Sequence, residues 1–174
     1  MIDPKRLRDP ELYKLLTGEL YDAVMRNFEK ERAGTGGAPW QALAKSTIKD
    51  RSRKGYWPGK ILQRRGGGGG LLASITGRYN STMAEVGTNR VYAAIHQFGG
   101  TITQGARSEL FTRNRYKRDT KSGKQKGQFK RGTKPGRGFT ISERTIKIPA
   151  RPFLVLGKDD YKTIEDVIFD FLTR

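Results

Sequence analysis

The feature that constrains the fold most strongly is the regular spacing of apolar residues near the start of the chain. Between about Asp9 and Arg32 an apolar residue recurs at every fourth position. These positions are Leu12, Leu16, Leu20, Val24 and Phe28. Residues four apart lie on one face of an α-helix, so the pattern predicts a long amphipathic helix that Asp9 can cap. We expect it to end at Gly34, Gly36 and Gly37, and the rest of the chain must cover its apolar stripe.

A second helix is predicted at the end of the chain, over about Asp159–Leu172. Its apolar residues also follow helical spacing and are Ile164, Val167, Ile168, Phe171 and Leu172. Thr163 followed by Asp166 resembles a capping box. The acidic residues of this segment are expected on its solvated face and near its N-terminus. They are Asp159, Asp160, Glu165, Asp166 and Asp170.

The middle of the chain predicts short elements of both types. In chain order they are a short helix after Ala38, a strand over Asn80–Thr88, a helix over Val91–Phe98, and strands over Gly100–Thr103 and Gly138–Ile148. Helices at both ends with strands between them predict an α+β fold. We expect one domain, residues 1–174, with a long N-terminal and a C-terminal helix packed on a small antiparallel sheet.

Two segments are predicted to lie outside the core. Residues 45–70 read as a flexible, basic and glycine-rich loop, in which Gly66–Gly70 form a mobile hinge because glycine is costly to order. Residues 103–139 read as an extended basic arm at the tip of a hairpin, with twelve Lys or Arg against two acids. The predicted partner-contacting cations are Arg107, Arg113, Arg115, Lys117, Arg118, Lys121, Lys124, Lys126, Lys130, Arg131, Lys134 and Arg137. Ordering of this arm on an anionic partner is favoured over a solvated loop.

Charge and composition narrow the classes of function. The 174-residue chain has a net charge of +18 and no cysteine, which favours polyanionic partners and excludes disulfides and thiolate chemistry. No apolar run is long enough to span a bilayer and no signal peptide is evident, so we expect a protein made and used on the cytosolic side.

No constellation of residues predicts catalysis, a metal or a cofactor. His96 is the single histidine, and it is more simply explained as a helix-face residue whose ring bonds a backbone group than as a general base. Only Glu85, Glu109 and Asp119 are acidic between Asp50 and Ser142, which disfavours a nuclease-type magnesium centre. The glycine run lacks the Lys and hydroxyl residue of a phosphate-binding loop.

The segment IPARPFL, residues 148–154, predicts an extended strand exit. Its two prolines hold the chain extended, and Arg151 between them can bond a carboxylate or carbonyl groups. Phe153 and Leu154 can anchor it in a groove. The groove could belong to the same chain or to a neighbouring subunit, and the sequence leaves both open.

Several blocks together resemble the phage virion morphogenesis family, the Mu-like tail-completion proteins of tailed bacteriophages. After the long helix they run PW..L from Pro39, KILQ from Lys60, VGTN from Val86, YAAIHQFGG from Tyr92, and IPARPFL. The chain departs from this pattern where Arg64, Arg65 and five glycines follow KILQ, and its arm is unusually long and basic. Residues of these blocks are the predicted assembly or interface residues: Trp40, Leu43, Ile61, Leu62, His96, Gln97, Phe98, Gly99, Gly100, Pro149, Arg151, Pro152 and Phe153.

The resemblance implies a structural, non-enzymatic virion protein without cofactors. It would complete the tail as a homo-oligomeric, sixfold ring at the head-proximal end, next to tail-tube, terminator or neck proteins, with packaged DNA as a further contact. It would be found at the head-tail junction of the virion and in the host cytoplasm during assembly. Two competing hypotheses remain, a non-specific nucleic-acid-binding protein of a mobile element and, less favoured, a nuclease.

Overall fold

The computed structural model describes residues 4–63, 70–109 and 139–173. The helices are α1 (Pro10–Lys30), α2 (Lys45–Arg53), α3 (Ala93–Phe98) and α4 (Lys158–Thr173), with short 3-10 turns at Pro4–Arg8 and Leu72–Ser74. The strands are β1 (Ile75–Tyr79), β2 (Ala84–Thr88), β3 (Gly100–Gln104), β4 (Arg107–Glu109), β5 (Phe139–Ile141) and β6 (Arg144–Ile148). This mixture confirms the predicted α+β class. The predicted hinge at residues 66–69 and most of the basic arm, residues 110–138, lie outside the described residues.

The chain divides into two compact units. One contains Met1–Gly100 and Ile148–Arg174, and the other contains Thr101–Lys147. We call the first unit the body. In the second unit β3 pairs with β6 and β4 pairs with β5. Strand β3 corresponds to the expected Gly100–Thr103, the expected Gly138–Ile148 forms as β5 and β6, and β4 lies within the segment expected to be the arm. The expectation of a single domain stays a prediction.

Helix α1 begins as predicted and ends differently. The Asp9 carboxylate accepts a hydrogen bond from the Glu11 N–H at 2.9 Å, which satisfies one of the free donors at the helix start. The helix ends at Glu31, which adopts a left-handed backbone with φ of 52°, rather than at the glycines beyond it. The Glu31 carboxylate accepts the N–H of Ile61, so a long-range contact fixes the ending.

The core of the body is built on the buried face of α1. Phe28 is 1% exposed, and its ring meets Trp40 edge-on at 5.7 Å and Phe153 at 5.3 Å between centroids. The remaining buried residues of this cluster are Val24, Ile61, Leu71, Ile75 and Ala93. The buried face of α1 is therefore covered by strand β1, helix α3 and the segments that follow α1 and α2 and precede α4.

Strand β1 is the one element of the body sheet that the sequence did not indicate. It pairs antiparallel with β2, with Gly77 opposite Val86. Helix α1 packs on both strands and on α4. A Cβ atom on Gly77 would lie 2.5 Å from the Thr17 methyl group, so the glycine lets helix and strand approach closely.

The start of α4 corrects two expectations. Thr163 lies inside the helix and donates to the Asp159 carbonyl at 3.0 Å, so the predicted capping box with Asp166 is wrong. Asp160 was expected on the solvated face but is 3% exposed. Its carboxylate accepts the Gly157 N–H at 2.7 Å. Gly157 therefore takes the cap position, and Asp160, three residues later, bonds its backbone as the acidic residue of a capping box does.

No helix in the described part of the chain is long and apolar enough to cross a membrane.

Candidate assembly site

The blocks HQFGG and IPARPFL, far apart in sequence, meet in the body through Gln97. The Gln97 side-chain oxygen accepts the N–H groups of Phe153 and Leu154, each at 3.0 Å, and its nitrogen donates to the Leu154 carbonyl at 3.3 Å. An amide side chain can mimic a neighbouring strand in this way because it carries both a donor and an acceptor. One residue therefore satisfies three backbone groups of the extended segment.

Gly99 brings the two blocks into direct backbone contact. Its φ of 73° lies in the left-handed region, and a Cβ atom there would be 2.7 Å from the Ala150 nitrogen and 3.1 Å from the Ile148 carbonyl oxygen. Only glycine fits both the conformation and the space. Next to it, the Arg151 N–H donates to the His96 carbonyl at 2.7 Å.

The Arg151 side chain is buried and bonds backbone carbonyls rather than a carboxylate. Its Nε donates to the Gln41 carbonyl at 3.0 Å and its Nη2 to the Ala42 carbonyl at 3.2 Å. Desolvation, and then the charge of Arg51, lower the pKa of Arg151 from its ordinary value, although an arginine remains charged. Arg151 thus fastens the segment after Trp40 to the IPARPFL block.

Trp40 and Asn27 complete the contacts around this block. The Trp40 indole donates to the Pro152 carbonyl at 2.9 Å. The Asn27 amide donates to the carbonyls of Phe153 at 3.0 Å and Val155 at 2.8 Å, and its oxygen accepts the Gly34 N–H at 2.9 Å. We call the bonds made by Asn27, Trp40, Gln97 and Arg151 the clamp.

Asn27 was not among the predicted site residues. It is 2% exposed, and it lies three residues after Val24 and directly before Phe28 on the apolar stripe of α1. A polar side chain on a stripe that must be buried needs hydrogen-bond partners. The position of Asn27 on this stripe was the sequence signal that could have identified it as a site residue, although the sequence does not reveal its partners.

The KILQ block closes the C-terminal end of α1. Lys60 donates to the Glu29 carbonyl at 2.7 Å, and Gln63 donates to the Phe28 carbonyl at 3.0 Å. These are carbonyls of the last turns of the helix, which lack partners within it. Ile61 is buried in the core, and Leu62, with φ of 59°, packs against it.

His96 lies beside the clamp with a buried ring nitrogen. Its Nδ1 has no hydrogen-bond partner among the described residues, which differs from the expected bond to a backbone group. The ring meets Tyr92 edge-on, with centroids 6.1 Å apart. Desolvation, and then the nearby charge of Arg151, lower the pKa of His96, so the ring is neutral at pH 7.

The predicted assembly residues separate into interior and surface positions. Trp40, Ile61, Arg151 and Phe153 are buried in the body. The partly buried ones are Leu43, Leu62, His96, Gln97, Gly99, Pro149 and Pro152, whereas Gly100 is exposed. Phe153, at 0% exposure, has no surface with which to touch another subunit. For these residues a role in subunit contacts stays a prediction.

Phe98 differs from the other predicted residues because its ring is 78% exposed. Val91, in the turn two residues before α3, is 97% exposed, and Tyr92, at the N-cap of the helix, is 43% exposed. We call Val91, Tyr92 and Phe98 the α3 patch. Large apolar side chains concentrated in this way mark interaction surfaces more often than scattered ones do. The clamp holds the neighbouring Gln97 and Gly99, so the patch is carried on a fixed support.

Of the predicted basic contacts, Arg107 lies in β4 and the other eleven lie outside the described residues. Within the described ranges, no three His, Asp or Glu side chains group in a way that could hold a metal ion.

Comparison with known proteins supports the resemblance found in the sequence. The sequence model of the phage virion morphogenesis family matches residues 5–173. "Putative capsid assembly protein G" of Escherichia phage Mu is 34% identical over 94 residues, covering 54% of this chain and 58% of the Mu protein. "Mu-like prophage FluMu G protein 2" of Haemophilus influenzae is 32% identical over 161 residues, or 92% of this chain and 75% of that protein.

A second Haemophilus influenzae relative, "Mu-like prophage FluMu G protein 1", is 27% identical over 158 residues, which cover 91% of this chain and 75% of the relative. No solved structure matches the chain.

Proposed function

The chain belongs to the phage virion morphogenesis family, and we propose that it is a tail-completion protein that forms a ring at the head-proximal end of the tail and joins tail to head. Family membership makes it a phage morphogenesis protein; the ring and its position are the proposal. The Mu relative is described as a putative capsid assembly protein, which supports a role in building the particle. We further propose that the role is structural rather than enzymatic.

The observation that carries the ring proposal is the α3 patch on its clamped support. Exposed phenylalanine and valine side chains are costly in water and gain most by burial against another protein. Rigid support lowers the entropy lost on association, since the surface is already in its bound shape. A patch that meets a different surface on the next copy makes head-to-tail contacts, and these form a ring when the rotation between successive copies closes.

The proposed setting also accounts for the charge of +18. Isolated copies repel one another, so assembly needs counter-charges on tail-tube, terminator or neck proteins, or on the DNA that passes through the ring. Sixfold symmetry would match that of a tail tube. Such a protein acts at the head-tail junction after synthesis in the host cytoplasm.

Particles made without this protein test the proposal. Negative-stain imaging should show filled heads separated from finished tails, and wild-type protein supplied in trans should restore joined particles. Protein with Val91→Ser and Phe98→Ser should fold but fail to restore them. Tyr79→Ser, which changes another exposed apolar residue, is the matched control and should restore joining. Normal infectious virions made without the protein would refute the proposed function.

Non-specific binding to nucleic acid is the second candidate, favoured by the twelve basic residues between 103 and 139. It predicts that the isolated chain binds DNA with a steep salt dependence, because each neutralised phosphate releases counterions. Replacing Lys121, Lys124, Lys126 and Lys130 by Gln should then weaken binding and flatten the salt slope. Unchanged binding by this variant would reject the second candidate.

A further inference from the structure

Helix α4 accepts two cations from its own chain on its inner face. The Asp160 carboxylate bonds the Arg26 guanidinium at 2.8 Å. The Arg6 guanidinium carbon lies 4.9 Å from the centroid of the Phe171 ring. One contact uses a carboxylate and the other uses the face of an aromatic ring, the two side-chain groups that attract arginine most strongly.

The outer face of α4 offers the same two kinds of acceptor. Phe169 is 66% exposed, and the exposed Glu165 and Asp166 lie four and three residues before it, on the same side of the helix. We call these three residues the outer face of α4. The salt bridges of the described residues involve neither carboxylate. Carboxylates beside an exposed ring, on a chain with 35 Lys and Arg, form a surface suited to a cationic segment.

Opposite charges are concentrated in separate parts of the sequence. Helix α4 carries five carboxylates against two lysines. Residues 110–138 carry eleven Lys or Arg against Asp119 alone. In a head-to-tail contact the acidic region of one copy faces the basic region of the next, so opposite charges attract. A contact between two basic regions would bring like charges together instead.

We propose that the outer face of α4 docks the basic segment 110–138 of a second copy of this chain. Phe169 offers the face of its ring to a cation of that segment, and Glu165 and Asp166 offer carboxylates. The inference rests on the proposed ring, for which it supplies a contact between successive subunits. It also assigns the segment a protein partner in addition to any contact with DNA.

Site-directed cross-linking tests this docking directly, because the chain has no cysteine of its own. One full-length chain carries Thr173→Cys, one helical turn after Phe169, and a second chain of distinguishable mass carries Ser122→Cys. A short bismaleimide should join the two chains when they are mixed. Raising the salt from 0.1 M to 1 M should reduce the yield, since the Debye length falls from about 10 Å to about 3 Å.

Charge reversal then identifies the face. Glu165→Lys with Asp166→Lys in the first chain should abolish the cross-link. Lys121→Glu, Lys124→Glu and Lys126→Glu in the second chain should restore it. Reversing two exposed carboxylates of α1 instead, Asp22→Lys with Glu29→Lys, gives the same change in net charge and should leave the cross-link intact.

Three results would overturn the inference: no cross-link between mixed chains, a cross-link that survives the reversal on α4, or a cross-link that forms only within one chain carrying both cysteines. Each leaves the particle-joining experiment unaffected. If virions need the protein and any of these results is obtained, the proposed function is retained and this contact is rejected. Normal virions without the protein would reject the proposed function itself.

Discussion

At the scale of single residues, polar side chains join blocks that are far apart in sequence into one site. Gln97, Asn27 and Arg151 bond backbone groups of other segments, and each is wholly or partly buried. The sequence predicted contact roles for Gln97 and Arg151 through the family resemblance. It could not show that their partners are backbone groups of the same chain, since that depends on segments 56 to 128 residues apart meeting in space.

Gly99→Ala should destabilise the body strongly. The added methyl group would meet the Ala150 nitrogen at 2.7 Å, and the φ of 73° is unfavourable for alanine. We expect a loss of at least about 2 kcal/mol in the free energy of unfolding, measured by urea denaturation. Gly18→Ala is the matched control: nothing lies within 4 Å of its Cβ position inside α1, so the same change there should stabilise by about 0.5–1 kcal/mol. Equal effects at the two positions would contradict this account.

Asp160 should make stability depend on pH in the acidic range. Burial raises the pKa of this carboxyl, but the bonds from Gly157, Arg26 and Thr35 outweigh burial and hold the pKa below its ordinary value. Its contribution is therefore complete above the unfolded pKa of about 3.9 and is lost as the pH falls from there through the folded pKa.

Asp160→Asn should cost about 1–3 kcal/mol near pH 7, because it removes a charged partner from a buried bond to Arg26. The difference in unfolding free energy between wild type and variant should shrink below about pH 4. Asp166→Asn, on the exposed side of the same helix, should change stability by less than about 0.5 kcal/mol at either pH. A difference that grew as the pH fell would contradict the assignment.

At the scale of elements, regular periodicity predicted the helices and weaker patterns failed. Helices α1 and α4 were found because their apolar residues follow helical spacing, whereas α3, with Ala93 as its one buried residue, was found from the glycines that end it. Strand β1 was missed because Ile75 is its one buried residue and the other four are exposed, so no alternation marks it. The end of α1 was placed at glycines, whereas Glu31 ends it through a contact with Ile61 that local sequence does not reveal.

The close packing of α1 on β1 can be tested by a pair of substitutions. Gly77→Ala should destabilise by about 1–3 kcal/mol, because its Cβ would lie 2.5 Å from the Thr17 methyl group. Thr17→Ser removes that methyl group and keeps the hydroxyl that donates to the carbonyls of Tyr13 and Arg78. The double variant should recover much of the loss in thermal unfolding. Additive effects of the two changes would show that the contact is not the cause.

At the scale of the whole molecule, one aromatic residue of the family blocks is buried in the body and another is exposed. Phe153 is 0% exposed at the centre of the body, whereas Phe98 is 78% exposed two residues before Gly100. Both belong to the blocks that carry the family resemblance. The sequence therefore singled out both residues without separating the one that builds the body from the one exposed to a partner, because burial is a property of the complete fold.

Phe153→Ala and Phe98→Ala should separate these roles. The first should cost about 3–5 kcal/mol, a large share of the about 5–15 kcal/mol that stabilises a typical domain. The second should shift the urea midpoint little, since it removes surface already in water. Both variants are measured by circular dichroism during urea unfolding. Strong destabilisation by Phe98→Ala would place that ring in the folding core and remove it from the α3 patch.

The backbone contact between Gly99 and Ala150 has a consequence for how this family can diversify. It holds together two points of the body between which the whole unit Thr101–Lys147 is inserted. With its ends fixed, doubling the length of an inserted loop adds only about 0.6 kcal/mol of closure entropy. Insertions that lengthen, shorten or recharge this unit should therefore leave the fold of the body intact.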